Sequence, residues 1–215
     1  MTRYRLHNFF RSSTSFRVRA ALNLKGCAYD YVSYALRAGE HRAPEHLRLN
    51  PQGLVPTLET PDGPLGQSLA IIEWLDETIP EPPLLPADPW GRARVRSLAH
   101  AVALDIHPIN NLRVLRHLET EFGATEDGIA GWFRHWVVET FDPLEARLSS
   151  ERETGRFCHG DAPGLADLCL AGQVLNNRRF DLDPGRWPTI ARIHAACMAV
   201  PAFADAAPEN QPDAE

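Results

Sequence analysis

Residues 6–34 read LHNFFRSSTSFRVRAALNLKGCAYDYVSY, and the order of signals within them decides the fold. Leu6 to Phe10 is a short apolar-rich run suited to a first strand. Ser12-Ser13-Thr14-Ser15 follows, a cluster favoured at helix starts because side-chain oxygens accept from the first unpaired amides. Beyond it Phe16, Ala20 and Leu24 recur every four residues with Arg17 and Arg19 between them, an amphipathic helical pattern. Lys25-Gly26 supplies a basic last turn and a glycine stop. Ala28 to Tyr34 is rich in aromatic and β-branched residues and predicts a second strand. A strand, a helix and a strand in such short order imply parallel pairing, because the second strand can run the same way only through a helical crossover.

Downstream, Asn50-Pro51-Gln52-Gly53 is a turn before Leu54-Val55-Pro56-Thr57-Leu58. Proline removes a ladder donor, so this strand is either an edge or carries a cis bond that turns the backbone outward. Pro61-Asp62-Gly63-Pro64 predicts a hairpin turn, and Gln67-Ser68 opens a helix from Leu69 to Glu77. Four prolines then fall between Ile79 and Pro86, where no helix can run. This stretch separates an α/β domain, 1–80, from an all-helical domain, 88–215. Asp88-Pro89 is an N-cap followed by proline at the first helical position. The long helix it starts should kink at His107-Pro108 and continue to Phe122-Gly123. A helix with Trp132, Trp136, Val137, Phe141 and Leu144 should end near Ser150, with Trp132 and Trp136 in the core. Leu165 to Asn177 and Pro188 to Val200 are two more, and the polar tail Pro208 to Glu215 reads as mobile.

The chain has 215 residues, 44% hydrophobic and 23% charged, with a net charge of −6. That is an ordinary globular mixture, and it excludes disorder and collagen-like repeats. A nucleic-acid partner is not expected, because such surfaces need many phosphate-neutralising cations. The basic residues are 21 arginines and the single Lys25. Arginine abundance alone is therefore no argument for anion sites; only placement is. Residues 1–8 show no apolar leader core, and no apolar run is long enough for a membrane span, so a cytoplasmic protein without membrane contact is expected. Cys27, Cys158, Cys169 and Cys197 are widely spaced, and the nine histidines are scattered, so neither disulfides nor a metal are expected.

The order βαβ, Val55-Pro56, hairpin, Gln67-Ser68, helix, then a helical domain resembles the soluble glutathione transferases. Arg11-Ser12-Ser13-Thr14-Ser15-Phe16-Arg17-Val18-Arg19-Ala20-Ala21-Leu22 resembles the signature of their zeta class. Asp105 to Leu112, Asn177-Arg178-Arg179-Phe180 and Ala207-Pro208-Glu209-Asn210-Gln211-Pro212-Asp213 resemble three further stretches of that class. The likeness spans essentially the whole chain. It implies a thioredoxin-like N-terminal domain followed by an all-α domain, and glutathione as cofactor. Thr14 departs from the cysteine of many members but is shared with the maleylpyruvate type, and Gly164 stands where a threonine usually caps the Leu165 helix.

The candidate residues each have a plain structural reading beside the functional one. Ser12 and Ser13 sit at a helix start, where one would cap and the other would donate to a sulfur anion; Ser12 is the favoured sulfur partner. A free thiol, with a pKa of about 8.5, is mostly protonated at neutrality, and a helix N-terminus with a hydroxyl donor would bring it toward about 7. The resemblance implies that Val55, beside a cis Pro56, pairs with the cysteine backbone of glutathione. Gln67 and Ser68 would take the γ-glutamyl carboxylate, as helix-start amides suit an anion, and His41 would meet the glycine end. His107 and Asn111, four apart, should share a helix face that overhangs the thiol. Arg11, Arg113 and Arg179 are candidates to hold substrate carboxylates in bidentate pairs; Arg11 comes from the first domain and the other two from the second.

The implied activity is glutathione-dependent cis–trans isomerisation of a maleyl keto acid: maleylacetoacetate to fumarylacetoacetate first, maleylpyruvate second. Thiolate addition makes the double bond single, rotation follows, and elimination returns the thiol. General transfer of glutathione to small electrophilic acids is the alternative. A homodimer and a place in aromatic amino-acid breakdown are family expectations.

Overall fold

The computed structural model describes residues 4–214. Met1 to Arg3, part of the segment read above as lacking a leader, and Glu215 of the tail lie outside the described residues. The chain divides into two compact units, Met1–Leu84 with Met198–Glu215, and Leu85–Cys197.

In the first unit β1 (Tyr4–Asn8), α1 (Ser13–Leu24) and β2 (Tyr29–Ser33) form the expected crossover. β1 and β2 pair in parallel, with Leu6 beside Tyr31. A short helix, α2 (Pro44–Leu49), had no clear sequence signal. β3 (Thr57–Thr60) and β4 (Gly63–Gly66) make the hairpin, and β3 runs antiparallel to β1 with Leu58 opposite Leu6. The sheet order is β2-β1-β3-β4. The strand begins after Pro56 rather than at Leu54, and Val55–Pro56 is cis. α3 (Ser68–Thr78) then packs against α1, burying Ile71, Ile72 and Leu75.

α1 is not amphipathic in the way its spacing suggests. Every residue from Phe16 to Leu22 is buried, Arg17 and Arg19 included, while Leu24 is only half-buried. Arg19 can be inside because all three guanidinium nitrogens are used: on the Asn8 side chain, on the carbonyls of Phe9 and Phe10, and on the Ala206 carbonyl at 2.8 Å. The tail begins just beyond Ala206, and its described residues are docked rather than mobile. The Tyr31 hydroxyl donates to Asp213, the Phe10 amide donates to the same carboxylate at 3.3 Å, and the Gln211 side chain caps the Asp205 and Ala207 carbonyls. The expected boundary, 88–215, is thereby corrected: the described residues from 198 to 214 pack with the first unit, because their polar groups find partners there.

In the second unit α4 (Pro89–His100) starts as expected, with the Asp88 carboxylate accepting from the Gly91 amide at 2.8 Å. The disturbance blamed on Pro108 begins earlier, as a π-helical stretch Ala101–Ile106, and the helix then ends. Proline cannot donate to a helical carbonyl and crowds the preceding turn, so α5 (Leu112–Phe122) is a new helix, closed by Gly123 at φ +64. α6 (Glu126–Ser150), α7 (Leu165–Asn177) and α8 (Pro188–Met198) follow. The core face of α6 is Phe133, Val137, Phe141, Leu144 and Leu148. Trp132 and Trp136 are only half-buried, contrary to expectation. They lie one residue off that stripe, edge to face at 5.6 Å, with the Trp132 indole N–H on the Ile109 carbonyl. At the start of α7 the buried Asp167 accepts from the Gly164 and Cys158 amides, so a glycine cap suffices. No described helix is long and apolar enough to cross a membrane.

Candidate active site

The chain leaves β1 through a tight turn, with the Ser12 amide on the Phe9 carbonyl at 3.1 Å, and enters α1. Ser12 is the N-cap: its Oγ accepts from the Ser15 amide at 3.2 Å. Ser13 is the first residue of α1 and is buried. The expected division, one serine capping and the other reaching out, is therefore redrawn. Capping uses a lone pair and leaves the hydroxyl proton, so both tasks fit on the one Ser12 oxygen.

That proton is not idle. Ser12 Oγ and Thr14 Oγ1 are 2.8 Å apart, and Thr14 donates to the Val55 carbonyl at 3.3 Å. Thr14 has one proton and gives it to Val55, so in this arrangement Ser12 donates to Thr14. The hydroxyl chain ties the start of α1 to the loop before β3. The same loop is held from below at Leu54, whose carbonyl accepts from His46 Nε2 and Asn50 Nδ2, each at 3.0 Å, and from Thr57 Oγ1 at 3.3 Å. Burial pulls the His46 pKa down, which keeps its ring neutral. His41 lies in a short turn whose carbonyl approaches Gly53; a Cβ there would stand 3.4 Å from it, and Gly53 itself has φ +57.

At α3 the N-cap is Gln67, held at φ +67, a rare conformation for a residue with a side chain. It offers no side-chain cap to the helix amides; its amide nitrogen reaches the exposed Gln52 at 3.0 Å. Ser68, the first helical residue, is buried and accepts from Arg17. Arg11 is half-buried, its guanidinium 5.0 Å from the Phe10 ring centroid and 5.6 Å from that of Phe9. The first unit thus brings Arg11, Ser12 and Ser13 onto one turn at the start of α1. A hydroxyl link joins that turn to Val55 and Pro56, and Gln67 and Ser68 stand at the second helix start.

In the second unit His107 and Asn111 do not share a helix face. His107 closes the π-helical stretch, whereas Asn111 is the extended N-cap of α5, accepting from the Arg113 and Val114 amides at 3.1 and 3.2 Å. Arg113 is exposed on the first turn of α5. Arg179, also exposed, follows α7, with NH1 on Asn176 Oδ1 at 3.2 Å and its guanidinium 5.5 Å from the Phe180 ring centroid.

Sequence reasoning missed Arg17, His46 and Asn50. A signal for the first was available: residues two apart on a helix lie about 200° apart around it, so Arg17 and Arg19 could not share one solvent face. For His46 and Asn50 no local pattern points to the Leu54 carbonyl.

Comparison with known proteins places this geometry. The glutathione S-transferase N-terminal domain family matches residues 2–77. A maleylpyruvate isomerase from Ralstonia is 50% identical over 209 residues, spanning 97% of this chain and 99% of the relative. Among solved structures, a holo maleyl pyruvate isomerase, described as a bacterial zeta-class glutathione-S-transferase, superposes with TM-score 0.96 at 49% identity, over 98% of this chain and 100% of that one. A maleylacetoacetate isomerase from Methylobacterium extorquens AM1 with bound malonate and GSH superposes with TM-score 0.95 at 44% identity, over 98% and 99%. With half its residues identical across nearly the full length of such a relative, and the sheet and helix starts arranged as described, this chain belongs to the zeta class of the glutathione S-transferases.

Proposed function

We propose that the protein is a glutathione-dependent cis–trans isomerase of maleyl keto acids, converting maleylacetoacetate to fumarylacetoacetate, with maleylpyruvate as the second substrate. The observation that carries this reading is the Ser12 hydroxyl at the N-cap of a twelve-residue helix, linked through Thr14 to Val55. The residues suit glutathione: a helix start with a hydroxyl donor for the sulfur, and a second helix start without a side-chain cap for a carboxylate. When bound, glutathione supplies a sulfur nucleophile whose reversible addition frees the conjugated double bond to rotate.

The chain's own part is electrostatic and positional. With glutathione bound, the Ser12 hydroxyl turns from Thr14 to donate a hydrogen bond to the sulfur and, with the α1 amides, keeps it anionic at neutral pH. Val55 offers its backbone to the cysteine of glutathione; Ser68 and Gln67 at the start of α3 take the γ-glutamyl carboxylate. Ser13, Pro56, His41, His107 and Asn111 complete the proposed glutathione contacts. Arg11, Arg113 and Arg179 fix the carboxylates of the ketone, removing rotational freedom before the reaction. A cytoplasmic homodimer acting in aromatic amino-acid breakdown is part of the same reading.

The test follows both thiol and ketone. Purified protein with sub-stoichiometric glutathione should convert maleylacetoacetate and maleylpyruvate to the trans products while the free-thiol titre stays constant. Loss of one thiol per ketone would instead mean a conjugating transferase. Comparing kcat/KM for the two ketones ranks them.

A further inference from the structure

Arg17 stands apart from every other described cation in the first unit. It is 1% exposed, and its neighbour Arg19 is buried to the same degree. Arg19 satisfies all three nitrogens with five hydrogen bonds. Arg17 makes one, from NH1 to Ser68 Oγ at 3.4 Å, and its Nε and NH2 are buried without a hydrogen-bond partner. Among the described residues no carboxylate pairs with it. Burying a cation without a counter-charge is among the costliest arrangements a fold can hold.

The one group it touches gives the direction. Ser68 opens α3, an eleven-residue helix whose N-cap, Gln67, provides no side-chain acceptor for the first-turn amides. A hydroxyl that accepts from a guanidinium must spend its own proton elsewhere, and the helix start beside it is a field that favours negative charge. The two features are independent, and both call for an anion at the same place. We infer that Arg17 is the buried counter-charge of a carboxylate site at the start of α3. It acts through Ser68 to select the α-carboxylate of a γ-glutamyl ligand. This rests on the glutathione reading proposed above. It makes Arg17 a positioning residue whose charge is uncompensated in the free protein and balanced only when the carboxylate arrives.

The test is binding, not turnover. Calorimetry would compare glutathione with γ-aminobutyryl-cysteinyl-glycine, which lacks only that carboxylate, on the parent protein and on Arg17→Met and Arg17→Lys. Arg17→Met should melt, without ligand, at or above the parent temperature, because a methionine of similar length removes an unpaired charge. It should lose glutathione affinity by about tenfold or more, yet bind the decarboxylated analogue as the parent does. Arg17→Lys, which keeps the charge, should retain most of the glutathione affinity. The inference is overturned if Arg17→Met weakens both ligands equally, leaves glutathione affinity unchanged, or is too unstable to purify, since each assigns Arg17 a purely structural role. A parent protein that binds neither ligand would overturn the proposed function itself.

Discussion

Thr14 Oγ1 lies 2.8 Å from Ser12 Oγ and 3.3 Å from the Val55 carbonyl, so one threonine hydroxyl couples the first helix to the loop before β3. A cysteine at that position would make a longer, weaker pair of bonds. The threonine therefore acts on geometry more than on chemistry. Thr14→Val, which keeps the shape and removes the hydroxyl, should raise the KM for glutathione by roughly threefold to tenfold, the scale of one lost hydrogen bond. kcat should stay within about twofold, and Thr14→Ser should restore the parent value. A large fall in kcat with unchanged KM would show that Thr14 acts in the reaction step.

Ser12 carries two tasks that can be separated. Replacing it by alanine removes both the cap and the donor, and should cost about 1 kcal/mol of stability and about 10² in kcat. Glycine, a tolerable cap, should recover most of the stability, losing only a few tenths of a kcal/mol, and none of the activity. Chemical denaturation beside thiolate absorbance at neutral pH checks both. Equal activity in the glycine variant and the parent would remove Ser12 from the chemistry.

Asp213 holds the Phe9–Arg11 turn from the far end of the chain, accepting from the Phe10 amide and the Tyr31 hydroxyl. Asp213→Ala leaves both donors without that acceptor and should lower stability by about 1–3 kcal/mol in urea unfolding. The KM for the maleyl ketone should rise, because Arg11 sits on that turn. Unchanged stability would mean the tail is dispensable.

Arg179→Ala should raise the KM for the ketone more than it weakens glutathione, by about tenfold for one charge-assisted contact. Steady-state kinetics varying each ligand in turn decides it. Identical ketone kinetics in variant and parent would exclude Arg179 from substrate binding.

His194 sets a pH dependence in the second unit. It is buried, and burial foremost, with Arg178 beside it at 3.3 Å, brings its pKa down to about 4. Unfolded, it titrates near the ordinary histidine value of about 6.5. The unfolded chain thus binds the extra proton first, and the neutral ring's contribution is full above about pH 6.5 and lost as pH falls toward about 4. The stability difference between the parent and His194→Gln should therefore shrink by up to about 3 kcal/mol between pH 7 and 4. A pH-independent difference would show that the ring takes up its proton over the same pH range in the folded and unfolded chain.

The parts legible in the sequence share a cause. Strand, helix, strand and hairpin from Tyr4 to Gly66, the Asp88 cap and the glycine stop at Gly123 are written in residues a few positions apart, where capping, turn preference and apolar spacing act locally. Ser12, Val55 and Ser68 were named on such signals and on family likeness, and the structure sets them at two helix starts and one loop. His107 and Asn111 misled because four-residue spacing means a shared face only inside an unbroken helix, and Pro108 lies between them.

What the sequence determined alone, then, is the order of elements, the change to helices after the proline-rich stretch, and the hydroxyl-rich start of α1. The tertiary structure decided where the charges went. Arg17 and Arg19 carry identical side chains two residues apart. One is satisfied by carbonyls, among them that of Ala206, 187 residues away, and the other is left with Ser68 alone. A guanidinium's fate depends on which acceptors the folded chain brings within about 3 Å of it, and that meeting is a property of the whole fold, which no stretch of sequence specifies by itself.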